Sequence, residues 1–169
     1  EEIAARADKI YAGGVDPHID NMLKVTGDGK KLALDPRCIE PSLSDESGSK
    51  LSFCADNVYE EWKSSADIKG TQLVFCDLST PKKPYSEYEY GKDFDAYNDL
   101  KHKLIERGIP ENEIAFIHDA NTDRTKQDLF DKINAGAVRV LIGSTEKCGA
   151  GTNVQKRLVA IHHLDAPYR

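Results

Sequence analysis

From Leu51 to Ile161 the chain alternates short apolar runs with stripes of helical spacing, and this alternation limits the fold more than any other feature. Leu51, Cys54, Val58 and Trp62 recur at helical intervals, as do Phe94, Tyr97, Leu100, Leu104 and Ile105, and then Leu129, Phe130 and Ile133. Between and after them lie four apolar runs, Leu73-Val74-Phe75-Cys76, Ile114-Ala115-Phe116-Ile117, Val138-Arg139-Val140-Leu141-Ile142 and Leu158-Val159-Ala160-Ile161. Gly108 and Gly136 close the second and third helical stripes. Short apolar strands separated by amphipathic helices predict an α/β fold, a parallel sheet with helices on both faces. In such sheets ligands sit at the carboxyl ends of the strands, so the residues just after Cys76, Ile117, Ile142 and Ile161 are the first places to look.

The first 49 residues read differently, as an appendage and linker before a lobe spanning 50–169. Ile3, Ala7, Ile10 and Tyr11 share one helical face, which Gly13-Gly14 ends. Leu23-Lys24-Val25-Thr26 and Lys31-Leu32-Ala33-Leu34 flank Gly27-Asp28-Gly29-Lys30, which predicts a β-hairpin. Pro41 to Ser49 is polar and reads as a linker. The segment Ser79 to Lys92 places Pro81, Pro84, Tyr85, Tyr88 and Tyr90 beside Lys82-Lys83; it reads as a mobile surface loop or as a surface for stacking bases. No internal repeat is present.

Charge and cysteine usage narrow the function classes. A net charge of −6 has the wrong sign for an autonomous nucleic-acid binder. From Ala137 onward the balance reverses, with Arg139, Lys147, Lys156, Arg157 and Arg169 against Glu146 and Asp165, so a local phosphate-facing patch is one reading and a solvated face the other. Cys38, Cys54, Cys76 and Cys148 are widely separated, without zinc spacing, and read as reduced thiols in a cytoplasmic protein, Cys54 and Cys76 within apolar patterns. No apolar run approaches the roughly 20 residues of a membrane span, and no membrane partner is expected.

The segment richest in chemistry is Gly143-Ser144-Thr145-Glu146-Lys147-Cys148-Gly149-Ala150-Gly151-Thr152-Asn153-Val154-Gln155. Three glycines in nine residues after a strand permit unusual backbone shapes and close approach to a ligand. Successive amides there could cradle an anion, with Thr145 and Lys147 adding a hydroxyl and a positive charge. His118-Asp119 has the composition of a dyad, but adjacent strand residues face opposite ways. His162-His163 stands without a carboxylate or Cys at metal spacing, so no metal site is assigned.

Ser144-Thr145-x-x-x-Gly149-x-Gly151-x-Asn153 resembles motif V of superfamily 2 helicases, in the version of Swi/Snf-type translocating ATPases. Gln72-Leu73-Val74-Phe75-Cys76-Asp77 resembles their motif IV, and Leu164-Asp165-Ala166-Pro167-Tyr168-Arg169 their approach to motif VI. The likeness runs from about Ser49 to Arg169 and is nearest to large bacterial, phage and plasmid proteins that join a helicase to an N6-adenine DNA methyltransferase. The hairpin region, Asp20 to Arg37, also looks like part of those proteins.

The resemblance implies the second RecA-like lobe of a DNA-dependent ATPase, working with DNA and with a first lobe of the same parent chain. ATP and magnesium would be the parent's cofactors. Gly149, Gly151 and Asn153 would form a loop coupling nucleotide to DNA, with Asn153 bracing it by side-chain hydrogen bonds. Ser144, Thr145, Lys147 and His118 would be DNA contacts. No GxxxxGK[ST] occurs and the chain stops where motif VI should begin, so the isolated chain is expected to be inactive, with no catalytic residue of its own. Two rivals remain: a RecA-like module kept for protein contacts, and part of an N6-adenine methyltransferase. The latter rests on Asp165-Ala166-Pro167-Tyr168, which has Ala where the adenine-binding motif has Pro.

Overall fold

In the computed structural model, which describes residues 2–149 and 152–166, the elements run α1 (Glu2–Tyr11), α2 (Met22–Leu34), α3 (Lys50–Ser64), β1 (Thr71–Phe75), α4 (Ala96–Glu106), β2 (Ile114–Phe116), α5 (Asp123–Ala135), β3 (Val140–Gly143), α6 (Thr145–Gly149) and β4 (Leu158–His163). The four strands pair in parallel in the order β2-β3-β1-β4. The expected α/β architecture with a parallel sheet is therefore present.

Period two in the central strands divides the core. Val74, Cys76, Ile114, Phe116, Val140 and Ile142 point to one face, where they meet Leu51, Ala55 and Val58 of α3 and Tyr97, Leu100 and Leu104 of α4. Leu73 and Leu141 point to the other, against Phe130 and Ile133 of α5 and Cys148 of α6. Each fully buried Leu contributes about 1.5–3 kcal/mol. β3 is buried along its whole length, whereas edge strand β4 alternates half-buried and exposed residues.

The helices begin where side chains can satisfy their first free amides. Ser49 Oγ accepts from Ser52 N–H at 3.2 Å, and Asp95 Oδ1 from Asn98 N–H at 2.8 Å. Thr122 and Thr125 cap α5 reciprocally. Gly136 ends α5 at φ +75°, and a Cβ there would lie 2.7 Å from Lys69, so both backbone shape and space require glycine.

The predicted β-hairpin does not form: residues 22–34 are one helix, α2. Asn21 Oδ1 caps it by accepting from Lys24 N–H at 3.0 Å. Arg6 on α1 clamps it, donating to Asp20 at 2.8 and 2.9 Å and to Asp28 at 3.0 Å. Gly27 and Gly29 each cost about 0.8–1 kcal/mol relative to Ala in a helix, and tertiary contact with α1 offsets that.

The polar stretch after α2 is bound to the lobe. Arg37, 6% exposed, donates to both oxygens of Asp35 at 2.9 and 2.8 Å and to both of Asp99 on α4 at 2.9 and 3.1 Å. It also pairs with Asp45 at 2.9 Å, and its guanidinium stands 4.4 Å from the Phe94 ring centre. Lys103 and the Tyr90 hydroxyl complete the cluster by bonding Asp45. Burial pushes the Asp99 carboxyl above the usual carboxylate range, against the pull of Arg37 and Lys103.

The Ser79 to Lys92 segment is folded back on α4. Tyr85 and Tyr88 stack, Tyr90 stacks on His102 at 4.1 Å, and Lys101 stands 4.5 Å from the Tyr85 ring centre. Contacts within the chain order these rings, and Tyr90 keeps 42% of its surface exposed.

Candidate functional site at the carboxyl ends of the strands

β1 and β3 are neighbours, yet the chain leaves β1 toward the α4 face and leaves β3 toward the α5 face. This divergence opens a crevice at their carboxyl ends. A recess of about 820 Å³ lies there, and Asp77, Thr80, His118, Ser144, Thr145 and Lys147 are among its lining residues. Three of the four post-strand positions thus converge, from segments distant in sequence. All four residues named as DNA-contact candidates (Ser144, Thr145, Lys147 and His118) line this one recess.

α6 explains the local shape. The Ser144 carbonyl accepts from Cys148 N–H at 2.9 Å, and Ser144 Oγ from Lys147 N–H at 3.3 Å. Asp77 Oδ1 accepts from Thr145 N–H at 2.6 Å. The amides of Thr145, Lys147 and Cys148 are therefore spent inside the chain, which leaves the Thr145 hydroxyl and the Lys147 ammonium, both on exposed residues, to meet a ligand. Burial raises the Cys148 thiol to about 11, so it is a packing residue, not a nucleophile. The buried Cys54 and Cys76 thiols are also raised, Cys54 to about 12.

His118 and Asp119 lie in a 3-10 turn after β2, where the sequence reading placed a strand. They diverge all the same: His118 lines the β1/β3 recess and Asp119 a separate one beside Lys132. The His118 ring meets Tyr97 edge-on at 5.1 Å, and Tyr97 is fixed by donating its hydroxyl to the Cys76 carbonyl at 2.6 Å. His118 Nδ1 is buried without a hydrogen-bond partner among the described residues. Burial, helped by Lys147 and opposed by Asp119, depresses the His118 pKa; burial also depresses His162, whose Nε2 lies 2.8 Å from Gln72 Oε1.

A depressed imidazole makes a signed prediction. The unfolded chain takes up protons first, so the stability these histidines contribute is full above about 6.5 and is lost as pH falls through the window below it. NMR titration should place both rings below 6.5, and Lys147→Ala should move His118 upward. Titration at or above 6.5 in the folded protein would contradict this arrangement.

Among the described residues, the basic C-terminal stretch does not form one patch. Arg139 precedes β3 and Arg157 precedes β4, so both lie at the amino ends of the strands, across the sheet from Lys147. Arg139 is 5% exposed, donating to the Gly70 carbonyl at 3.0 Å and to Ser65 Oγ at 3.1 Å, while Arg157 donates to the Asn134 carbonyl at 3.1 Å. Neither guanidinium faces the crevice.

The remaining loop residues divide. Asn153 is exposed, and the brace comes from the opposite side, with Asn134 Nδ2 donating to the Asn153 carbonyl at 2.7 Å. Gly149 ends α6, while Gly151 lies outside the described residues, as do Pro167, Tyr168 and Arg169. Asp77 joins the site beyond the residues expected from the sequence, and its place directly after β1 is the signal that marks it.

The Thr145 and Lys147 amides are engaged within the chain, and among the described residues no group of three or more His, Cys, Asp or Glu comes together. No helix among them is long and apolar enough to cross a membrane. Compared with protein-family models, with curated proteins and with solved structures, the chain gives no match.

Proposed function

We propose that this chain is the second RecA-like lobe of a DNA-dependent ATPase, a helicase or translocase, and that its crevice loop contacts the DNA backbone. One observation carries the reading. The segments resembling motifs IV and V, whose residues Asp77 and Thr145 stand 68 apart in sequence, meet by a direct hydrogen bond at the switch point of a parallel sheet. Thr145 and Lys147 present a hydroxyl and a cation to the crevice, the pair that phosphate oxygens require. ATP and magnesium belong to a first lobe, and the crevice supplies the surface that lobe closes against.

In the methyltransferase alternative Asp165 would meet an adenine amino group through Oδ1, because its Oδ2 already accepts from the Asp77 and Leu78 amides, both at 2.8 Å.

DNA binding by the chain should be weak, given the net charge of −6, and mostly electrostatic. Affinity for a labelled duplex should fall by roughly 0.9 log units per phosphate contact for each log unit of salt. Lys147→Ala should reduce that slope by about one contact and leave the fold unchanged. Fluorescence anisotropy across a salt series measures both. Salt-independent binding, an unchanged slope in Lys147→Ala, or ATP turnover by the highly purified chain would each overturn the assignment.

A further inference from the structure

Past the last paired residues of a sheet, backbone amides need new acceptors. At the carboxyl edge of this sheet two carboxylates supply them, in series. Asp165, just after β4, accepts from the Asp77 and Leu78 amides, which have just left β1. Asp77 then turns its own carboxylate to the Thr145 amide, which has just left β3. Three strand ends are pinned in the order β4, β1, β3, and both links are charge-assisted, roughly twice as strong as neutral hydrogen bonds.

We propose that Asp77 is a positioning residue: held by Asp165, it sets the turn from Ser144 to Gly149 and with it the Thr145 and Lys147 side chains. The consequence for DNA rests on the function proposed above; the relay itself does not. The Cys76 amide donates to the Gly143 carbonyl at 3.0 Å, so β1 and β3 are in register up to the point where Asp77 takes over. Past that point Asp165 reaches Thr145 through Asp77. A displacement of the segment after β4 therefore moves the Asp77 and Leu78 amides, then the Asp77 carboxylate, then the crevice turn.

The test is hydrogen exchange of the Thr145 amide, followed by NMR in the chain alone without DNA or nucleotide. Asp77→Ala should speed that exchange about tenfold, the loss of one charge-assisted hydrogen bond. Asp165→Ala should speed it by a smaller factor, although Asp165 does not bond Thr145. The double variant should exchange no faster than Asp77→Ala, because Asp165 acts through Asp77. Asp77→Asn, which keeps an acceptor oxygen, should retain most of the protection. A purely structural loss would add across the two sites and would also speed the Val74 amide in the core, and either result overturns the relay. Where an Ala variant fails to fold, Asp77→Asn with Asp165→Asn completes the same cycle in graded form. An intact relay with DNA affinity unchanged in Asp77→Ala would refute the functional reading and leave the relay standing.

Discussion

Arg37→Ala should lower the free energy of unfolding by about 3–5 kcal/mol, the largest loss expected from any single side chain outside the apolar core. Arg37 and Lys103 balance Asp35, Asp45 and Asp99, so the cluster already holds three carboxylates against two cations. Removing Arg37 leaves Asp99, which is fully buried, with Lys103 alone at 3.7 Å. An unpaired buried carboxylate must stay charged at high cost or take up a proton. The loss should therefore be greatest near neutral pH and shrink in mild acid, as Asp99 protonates.

Two companions separate charge from shape. Arg37→Lys keeps one positive charge but cannot bind two carboxylates through both oxygens, and should recover only part of the loss. Asp99→Asn removes one charge from the acidic side of the balance and keeps an acceptor, so about 1–2 kcal/mol is expected. Urea unfolding followed by Trp62 fluorescence measures all three. A loss below about 1 kcal/mol for Arg37→Ala would mean that the cluster does not hold the stretch 35–45 to α4.

No sequence pattern announces that cluster, because Arg37 and Asp99 stand 62 residues apart and each alone reads as an ordinary charge. The polar run 41–49 resembles a linker by composition, while Asp45 within it is fixed by Arg37, Lys103 and Tyr90. The hairpin error has a similar source. Two apolar runs around Gly27-Asp28-Gly29-Lys30 imitate strand and turn, and the contacts that favour a helix, Arg6 to Asp20 and Asp28, lie outside the window that periodicity reads. The sheet was legible because its signal is local. Each strand is a short apolar run, and each covering helix carries its own stripe and cap.

The site was legible in position more than in chemistry. The residues after Cys76, Ile117 and Ile142 do converge, as parallel-strand geometry requires. Composition could not reveal which donors remain open, since the Thr145 and Lys147 amides are consumed by Asp77 and Ser144. Nor could it reveal that Arg139 and Arg157 lie at the far end of the sheet, because counting charges along the chain ignores which end of a strand each one occupies.

Gly143 shows the same limit, and its replacement should be costly. The sequence counts it among three glycines of a ligand loop, whereas the structure gives it a packing role. A Cβ built there would lie 2.2 Å from Cys148 Sγ and 2.8 Å from Ile117 Cγ2. Cys148 is 5% exposed and Ile117 is fully buried, so neither has open space to retreat into. Gly143→Ala should cost about 1–3 kcal/mol by overpacking, and Gly143→Val more. The strain falls between β3 and α6, so the crevice turn should loosen before the sheet does. Cys148→Ala removes the nearer obstacle while leaving Ile117. Gly143→Ala with Cys148→Ala should therefore cost at least about 0.5 kcal/mol less than the sum of the single changes, without full recovery. Urea unfolding of the three variants beside the parent chain measures the coupling. Strict additivity would show that α6 does not fold back onto the end of β3, and the placement of Thr145 and Lys147 in the crevice would fall with it.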